Sequence, residues 1–111
     1  MSKEKKIKIL KRAADMIEDG MYVHTGFGFP KLLSKYLRRD IQVDFITETG
    51  IVGAEPIDGT KDDYVLDGDL RHVKLKKGAT YVKASDLFTI LRTRCALSFA
   101  RAIKVSENGD L

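Results

Sequence analysis

The spacing of apolar residues along the chain predicts helices that alternate with strands. Four apolar side chains recur at helical spacing near the N-terminus: Ile7, Leu10, Ala14 and Ile17. Gly20 follows as a stop signal, so residues 3–19 are predicted to form an amphipathic helix. Residues 21–25 are a short β-rich run that ends at a glycine, and they are predicted to form a strand.

The next two segments complete a strand, helix, strand unit. Pro30 suits the first turn of a helix, where its missing N–H is no loss. The apolar face of that helix would consist of Leu32, Leu33, Tyr36 and Leu37. Residues 41–46 alternate and predict a second strand, with Ile41, Val43 and Phe45 on one side. A βαβ unit of this kind requires parallel strands and a right-handed crossover.

The remaining elements are predicted in the second half of the chain. Residues 54–77 are interpreted as an irregular excursion, with short strands near 65–66 and 73–75. The later segments are a strand at 80–82, a helix over 86–93 capped by Ser85, a strand at 97–103 and a turn at 106–109. With no repeats or linkers, we predict one α/β domain over residues 1–111, built on an open, mainly parallel sheet with βαβ units.

Composition narrows the class of protein. The chain has 111 residues, of which 43% are hydrophobic and 32% charged, as expected for one soluble domain. No apolar run approaches the roughly 18 residues of a membrane span, and residues 1–6 lack the apolar stretch of a secretory signal. We therefore expect a cytoplasmic protein without a membrane partner.

Cysteine and histidine are too sparse to suggest a metal site. Cys95 is the only cysteine, and His24 and His72 are the only histidines. This set offers no ligand spacing of the zinc type, so no metal is predicted. The apolar surroundings of Cys95 favour an inert thiol over a nucleophile.

The net charge of +4 does not by itself indicate a nucleic-acid partner. Six basic residues and Glu4 give the first twelve positions a charge of +5, so the remaining chain carries −1. Nucleic-acid surfaces usually show a broader basic stripe with interleaved aromatic residues. The pattern favours a solvated helix end, and no nucleic-acid partner is predicted.

The candidate chemistry lies in two segments that each follow a predicted strand. Gly26 and Gly28 come after the first strand, and Glu48 with Gly50 comes after the second. Ligands gather at the carboxyl ends of parallel strands, where glycines allow close approach and a helix N-terminus favours negative charge. Glu48 could attack a carbonyl carbon while nearby amides stabilise the oxyanion. A tight turn with a surface glutamate is an equally consistent interpretation.

Two weaker interpretations use related residues. Gly26 and Gly28, followed by an acid at Glu48, imitate a dinucleotide-binding fingerprint. The third glycine of that fingerprint is replaced by Lys31, whose side chain would obstruct close helix–strand packing. His72 and the pair at 62–63 are candidate acid–base groups, although solvated loop residues are the more common explanation.

Four motifs in order resemble the beta subunit of the family I coenzyme A transferases, the group that includes 3-oxoacid CoA-transferases. They are EDGMYV at 18–23, GFGFP at 26–30, TETGIVG at 47–53 and VSENGDL at 105–111. The resemblance covers residues 7–53 and 78–111. It implies a CoA-transferase-like fold in which this chain corresponds to part of the family subunit and lacks its C-terminal part.

The resemblance also implies an activity. Glu48 would be the nucleophile of a reaction that moves CoA from an acyl-CoA to an acceptor carboxylate through a glutamyl-CoA thioester. The amides of Gly26, Gly28 and Gly50 would contact the substrate. Coenzyme A would be a substrate, with no permanently bound cofactor. An alpha-type subunit would be the partner, in an oligomer that binds acyl-CoA and carboxylic acids.

Several positions depart from the family pattern. His24 and Thr49 stand where the family usually has asparagine, and Ala96 and Arg101 replace an aspartate and a glycine. The family subunit also continues beyond the position of Leu111. The alternative hypothesis is therefore a truncated or diverged non-catalytic relative that acts as a structural or binding module.

Overall fold

Helices and strands alternate along the chain in the computed structural model, which describes residues 1–56, 65–69 and 71–111. The helices are α1 (Lys3–Ala14), a 3-10 helix (Phe29–Tyr36) and α2 (Ala84–Thr93). The strands are β1 (Tyr22–Thr25), β2 (Asp44–Ile46), β3 (Ile51–Glu55), β4 (Lys74–Tyr81) and β5 (Cys95–Phe99). In this part of the chain, no helix is both long and apolar enough to cross a membrane.

The five strands form one open sheet in the order β4-β3-β2-β1-β5. Strand β1 pairs in parallel with both β2 and β5, while β3 is antiparallel to both β2 and β4. Four of these strands therefore point in one direction. The predicted α/β class with an open, mainly parallel sheet is confirmed, with β3 as the reversed strand.

The predicted βαβ unit is present, and its connection is a 3-10 helix. Tyr22 of β1 is in register with Asp44 of β2, and Phe29–Tyr36 lies between the two strands in sequence. Pro30 lies at the start of this helix, as predicted. Leu33 is fully buried and joins Leu10 and Val23 in the core cluster. Burial of these side chains holds the helix against the sheet.

Helix α1 ends earlier than its apolar spacing predicts. The Ser2 side chain accepts a hydrogen bond from the Lys5 amide at the N-terminus, but the helix stops at Ala14 instead of continuing to residue 19. The amide of Ile17 bonds to the Ala14 carbonyl in a tightened turn, and the Ile17 side chain is 1% exposed. Ile17 therefore belongs to the core although it lies outside the helix.

Three other predicted boundaries are wrong by a few residues. Strand β2 begins at Asp44 instead of residue 41, because Gln42 instead bonds to the loop before β1 through both its N–H and its carbonyl. Strand β5 spans Cys95–Phe99 instead of 97–103, ending where β1 turns into the glycine loop. Helix α2 begins one residue before the predicted cap, Ser85. The turn at 106–109 is confirmed by the hydrogen bond from the Gly109 amide to the Ser106 carbonyl.

Strand β3 was missed, and β4 was predicted as two short pieces. Both strands contain a glycine with positive φ, Gly53 at 103° and Gly78 at 86°. The pairing of β3 with β4 shifts register between Val52 and Ala54, around Gly53. A glycine inside a strand marks an irregularity of this kind, and the same residue resembles a turn signal in sequence.

A small hairpin follows the part of the irregular region that lies outside the described residues, 57–64. Leu66 and His72 form an antiparallel bridge. The Asp67 carboxylate is buried and accepts hydrogen bonds from the amides of Asp69 and Arg71. We call residues 65–69 and 71–73 the hairpin segment. The two hydrogen bonds that the Asp67 carboxylate accepts stabilise the tight turn of this segment.

Candidate functional site

The loops of the candidate site lie together at one end of the sheet, where three parallel strands end. These are the carboxyl ends of β1, β2 and β5, and ligands bind at such ends in open α/β sheets. The loop with Gly26 and Gly28 leaves β1, and Glu48 follows β2. Arg101 follows β5, and its guanidinium lies against Gly28. The sheet thus brings together segments that are far apart in sequence.

The Glu48 carboxylate lies between the side chains of Lys31 and His24. Lys31 Nζ is 2.7 Å from Glu48 Oε2, and His24 Nε2 is 3.2 Å from Glu48 Oε1. The Glu48 side chain is 24% exposed and that of Lys31 only 7%. Lys31 also donates to the Thr25 carbonyl, at 3.1 Å. The carboxylate is therefore held in place at the carboxyl ends of the parallel strands and is partly shielded from water.

These contacts favour the ionised form of Glu48. Burial by itself raises the pKa of the carboxyl group. The hydrogen bond from Lys31, a backbone hydrogen bond and the positive charges of Lys31 and His24 outweigh burial, so the pKa of Glu48 is lowered from its ordinary value. The site holds a carboxylate anion with a directed lone pair, which a carboxylate nucleophile requires.

His24 connects Glu48 to the edge strand β5. Its Nδ1 lies 2.8 Å from the hydroxyl oxygen of Ser98. An ionised carboxylate only accepts hydrogen bonds, so Nε2 carries the hydrogen shared with Glu48. The Ser98 hydroxyl can either accept from or donate to Nδ1, so it pairs with the ring in both charge states. Ser98 therefore orients the ring that donates to Glu48.

A tight turn between β2 and β3 fixes the position of Glu48. The Thr47 amide donates to the Ile51 carbonyl at 2.9 Å, and the Ile51 amide donates to the Thr47 hydroxyl at 3.1 Å. Thr49 donates its hydroxyl hydrogen to the Leu66 carbonyl at 2.6 Å. Gly50, with φ of 96°, closes the turn. The turn is thus anchored to β3 on one side and to the hairpin segment on the other.

The hairpin segment packs directly over the candidate site. The Gly28 amide donates to Asp69 Oδ2 at 2.9 Å. Gly68 lies so close to the Glu48 carboxylate that a Cβ at position 68 would overlap it. Asp69 therefore contacts the loop that contains Gly28, and Gly68 contacts the Glu48 side chain in the turn between β2 and β3.

The three glycine amides predicted to contact substrate differ in their partners. The Gly26 amide donates to the Phe99 carbonyl at 2.6 Å, and the Gly50 amide donates to the Thr47 carbonyl at 3.2 Å. Both bonds are part of the backbone structure. The Gly28 amide bonds instead to the Asp69 side chain, which a ligand carboxylate could replace. Contact of these amides with substrate stays a prediction, and Gly28 has the most suitable geometry.

Replacing Gly68 with alanine should disturb Glu48 selectively. The added Cβ would lie 2.9 Å from Glu48 Cδ, so the carboxylate must move away from Lys31 or the hairpin segment must lift. We expect Gly68→Ala to lower the free energy of unfolding by about 1–2 kcal/mol, as for a modest overpacking change. Urea denaturation measures this cost.

A double-mutant cycle separates this clash from other effects of alanine at position 68. In a Glu48→Ala background the overlapping atoms are absent, so Gly68→Ala should cost much less than in the wild type. An equal cost in both backgrounds would show that the contact between Gly68 and Glu48 is not the cause.

Sequence reasoning missed most of the side chains around Glu48. His24 was noted only as a departure from a family pattern, and Lys31 only as an obstacle to dinucleotide binding. Ser98 and Asp69 were not selected. Lys31 follows Pro30 in the first helical turn after the glycine loop, and this position at a helix N-terminus was the signal available. Nothing in the sequence indicated that Ser98 would reach His24.

The weaker candidates lie in the second half of the chain. His72 lies in the hairpin segment, bridged to Leu66, and it lines a cavity that Lys31 and Thr47 also line, so an acid–base role for it stays a prediction. The pair at 62–63 lies outside the described residues. Within residues 1–56, 65–69 and 71–111, no three His, Cys, Asp or Glu side chains are close enough to hold a metal ion.

The sequence has relatives of known name over almost its whole length. The beta subunit of a probable coenzyme A transferase from Bacillus subtilis is 35% identical over 107 residues, which are 94% of this chain and 49% of the relative. The chain resembles coenzyme A transferase beta subunits. The resemblance inferred from the four motifs is thereby confirmed.

Other relatives carry more specific names. In Helicobacter pylori, the second subunit of succinyl-CoA:3-ketoacid coenzyme A transferase is 31% identical over 93% of this chain and 51% of its own length. The human mitochondrial succinyl-CoA:3-ketoacid coenzyme A transferase 2 is 34% identical over 94% of this chain and 21% of its own length. The chain spans about half the length of the bacterial transferase subunits it matches. No protein-family model matches it.

Proposed function

We propose that this chain is a coenzyme A transferase component in which Glu48 is the covalent nucleophile. The observation that carries the proposal is the held carboxylate: Glu48 lies at the mouth of the parallel strands, bonded to Lys31 and His24, with a lowered pKa. The similarity to transferase beta subunits supports it independently. The surface-glutamate interpretation does not account for two side chains directed at one carboxylate.

The proposed reaction proceeds by acyl exchange without a net proton transfer. A Glu48 oxygen attacks the thioester carbonyl of an acyl-CoA, and the carbon–sulfur bond breaks with the electron pair leaving on the thiolate. The thiolate then attacks Glu48 Cδ and expels the donor acid as a carboxylate, leaving a glutamyl-CoA thioester. An acceptor carboxylate reverses these steps and leaves as a new acyl-CoA.

Lys31 and His24 have a direct role in this scheme. Each attack on Glu48 Cδ develops negative charge on a Glu48 oxygen. Lys31 Nζ and His24 Nε2 already donate to these oxygens, at 2.7 and 3.2 Å. Donors oriented in advance toward a developing oxyanion lower the barrier without reorganisation. The hairpin segment above Glu48 limits access of water, which would hydrolyse the anhydride and thioester.

The remaining features of the function are proposals by analogy with the relatives. The bacterial relatives are named as one of two kinds of subunit, which implies an alpha-type companion, so we propose a hetero-oligomer with such a companion. Acyl-CoA and a carboxylic acid would be the substrates, with coenzyme A as the group transferred. A cytoplasmic location stays a prediction.

Mass spectrometry of the intact chain tests the covalent step. We expect incubation with an acyl-CoA, in the presence of an alpha-type subunit, to add the mass of coenzyme A less one water. Peptide mapping should place the adduct on Glu48. Hydroxylamine should remove it, because it cleaves thioesters and anhydrides of a carboxyl group.

Two variants control this experiment. Glu48→Gln should form no adduct, whereas Glu4→Gln, which changes an exposed glutamate in the first turn of α1, should react as the wild type does. An adduct that persists in Glu48→Gln would identify another nucleophile. A wild-type chain that forms no adduct with its partner present would favour the structural or binding module.

A further inference from the structure

The Lys31 ammonium is a buried charge whose counterion would disappear during the proposed reaction. Its side chain is 7% exposed, and its described contacts are the Glu48 carboxylate and the Thr25 carbonyl. In the glutamyl-CoA thioester Glu48 is neutral, and one of its oxygens has been replaced by sulfur. A buried ammonium without a nearby anion is strongly unfavourable.

We propose that the Lys31 ammonium binds the acceptor carboxylate. It becomes available to that carboxylate only when Glu48 has been converted to the CoA thioester. This inference rests on the proposed function of Glu48. In the resting chain the Glu48 carboxylate satisfies Lys31 and repels a second carboxylate. Neutralising Glu48 removes both effects at once, so the acceptor acid binds after acyl-CoA has reacted.

The geometry places such an acid where it must react. Lys31 Nζ lies 2.7 Å from Glu48 Oε2. A carboxylate oxygen held by Nζ at about 2.8 Å can approach Glu48 Cδ to the near-attack separation of about 3–3.5 Å. The same ammonium would then neutralise the acceptor and donate to the oxyanion formed at Cδ. His24 Nε2, also released from a charged partner, provides a second donor.

A cavity beside Lys31 offers room for a small acid. The cavity has a volume of about 300 Å³, at the lower end of the range for ligand sites. Thr25, Lys31 and Thr47 line it, and Leu32 and Phe45 contribute apolar surface. Its lining also includes Asp67 and Arg71, which are paired with each other. These dimensions favour a short-chain carboxylic acid whose carboxylate binds Lys31 and whose carbon chain contacts Leu32 and Phe45.

The Glu48→Gln variant tests this proposal without requiring turnover. Glutamine has the size of glutamate but no charge, so it imitates the neutral state of the esterified side chain. We expect Glu48→Gln to bind acetate saturably, with an affinity at least tenfold higher than that of the wild type. Titrations with sodium acetate, against sodium chloride at equal ionic strength, would be followed by NMR of the backbone amides.

Matched second substitutions assign the binding to Lys31. Glu48→Gln with Lys31→Met should lose the acetate response, while Glu48→Gln with Lys11→Met should keep it, because Lys11 is an exposed lysine of α1 that does not line the cavity. If the Lys31 double variant does not fold, the acetate-induced shifts in Glu48→Gln alone remain decisive. They should centre on residues 25, 31 and 47.

The outcomes distinguish this proposal from the proposed function. Equal acetate affinity in wild type and Glu48→Gln, or shifts centred away from Lys31, would overturn the acceptor site even if the CoA adduct forms on Glu48. If no CoA adduct forms but Glu48→Gln binds acetate through Lys31, the transferase assignment fails while the charge coupling between Lys31 and Glu48 stands.

Discussion

Replacing Gly50 with alanine should lower the free energy of unfolding by about 2–4 kcal/mol. Gly50 has φ of 96°, and a side chain in such a conformation costs about 1–3 kcal/mol. A Cβ would also overlap the carbonyl oxygen of Val82. This oxygen belongs to the backbone and cannot rotate away, and the Val82 amide donates to the Gly50 carbonyl at 2.8 Å. The strain and the lost contact act on the turn that carries Glu48.

Gly20→Ala provides the matched control for this effect. Gly20 also has positive φ, at 82°, but a Cβ there would meet no atom within 4 Å. Its substitution should cost only the backbone strain of positive φ, about 1–2 kcal/mol. Urea denaturation of both variants gives the comparison. Equal costs for the two substitutions would show that the contact with Val82 is unimportant.

Replacing Lys31 with methionine should raise the pKa of Glu48 and destabilise the chain at neutral pH. Burial of Glu48 raises its pKa, and the contacts of Lys31 oppose this effect. Without the ammonium, the partly buried carboxylate retains the hydrogen bond from His24 Nε2. We expect a loss of about 1–3 kcal/mol at pH 7, less than for a fully buried pair because Glu48 is 24% exposed.

The pH dependence of this loss follows from the sign of the pKa shift. Glu48 has a lower pKa in the folded chain than in the unfolded chain, so its ionised form contributes stability above the ordinary value of 4.5. That contribution disappears as the pH falls through the folded value. The difference between wild type and Lys31→Met should therefore be largest at neutral pH and should narrow below about pH 4.5.

Denaturation at several pH values, together with carbon NMR of the Glu48 carboxyl group, measures both effects. Lys35→Met removes an exposed lysine from the same helix and should change stability by no more than about 0.5 kcal/mol. A Lys31 variant whose stability differs from the wild type by the same amount at pH 7 and pH 3 would contradict the coupling between Lys31 and Glu48.

The local elements were predictable where one signal dominated. The sequence predicts strand Tyr22–Thr25 because a β-rich run ends at a glycine. It predicts a helix at the position of the 3-10 helix because Pro30 precedes apolar residues at helical spacing. The boundaries failed where tertiary contacts compete with local preference. Helix α1 stops at Ala14 although Ile17 continues the apolar spacing, because Ile17 is buried from a tightened turn.

Strand β3 was not predicted, because a glycine inside it resembles a turn signal. Gly53 lies inside a strand, where its φ of 103° accompanies a shift in register against β4. In sequence, a glycine three residues after Gly50 indicates a turn. Only the partner strand distinguishes the two cases, since the Cβ missing from Gly53 would meet Ala79 of β4.

The sequence by itself determined the α/β class, the parallel pair β1–β2, the resemblance to coenzyme A transferase beta subunits and the selection of Glu48 as the residue of interest. These follow from periodicity and from motifs that are contiguous in the chain. The tertiary structure alone decided that Lys31 and His24 bind Glu48, that Ser98 binds His24 and that Asp69 binds the Gly28 amide. Ser98 and His24 are 74 positions apart, and contacts of that range depend on how strands order within the sheet, which no local pattern specifies.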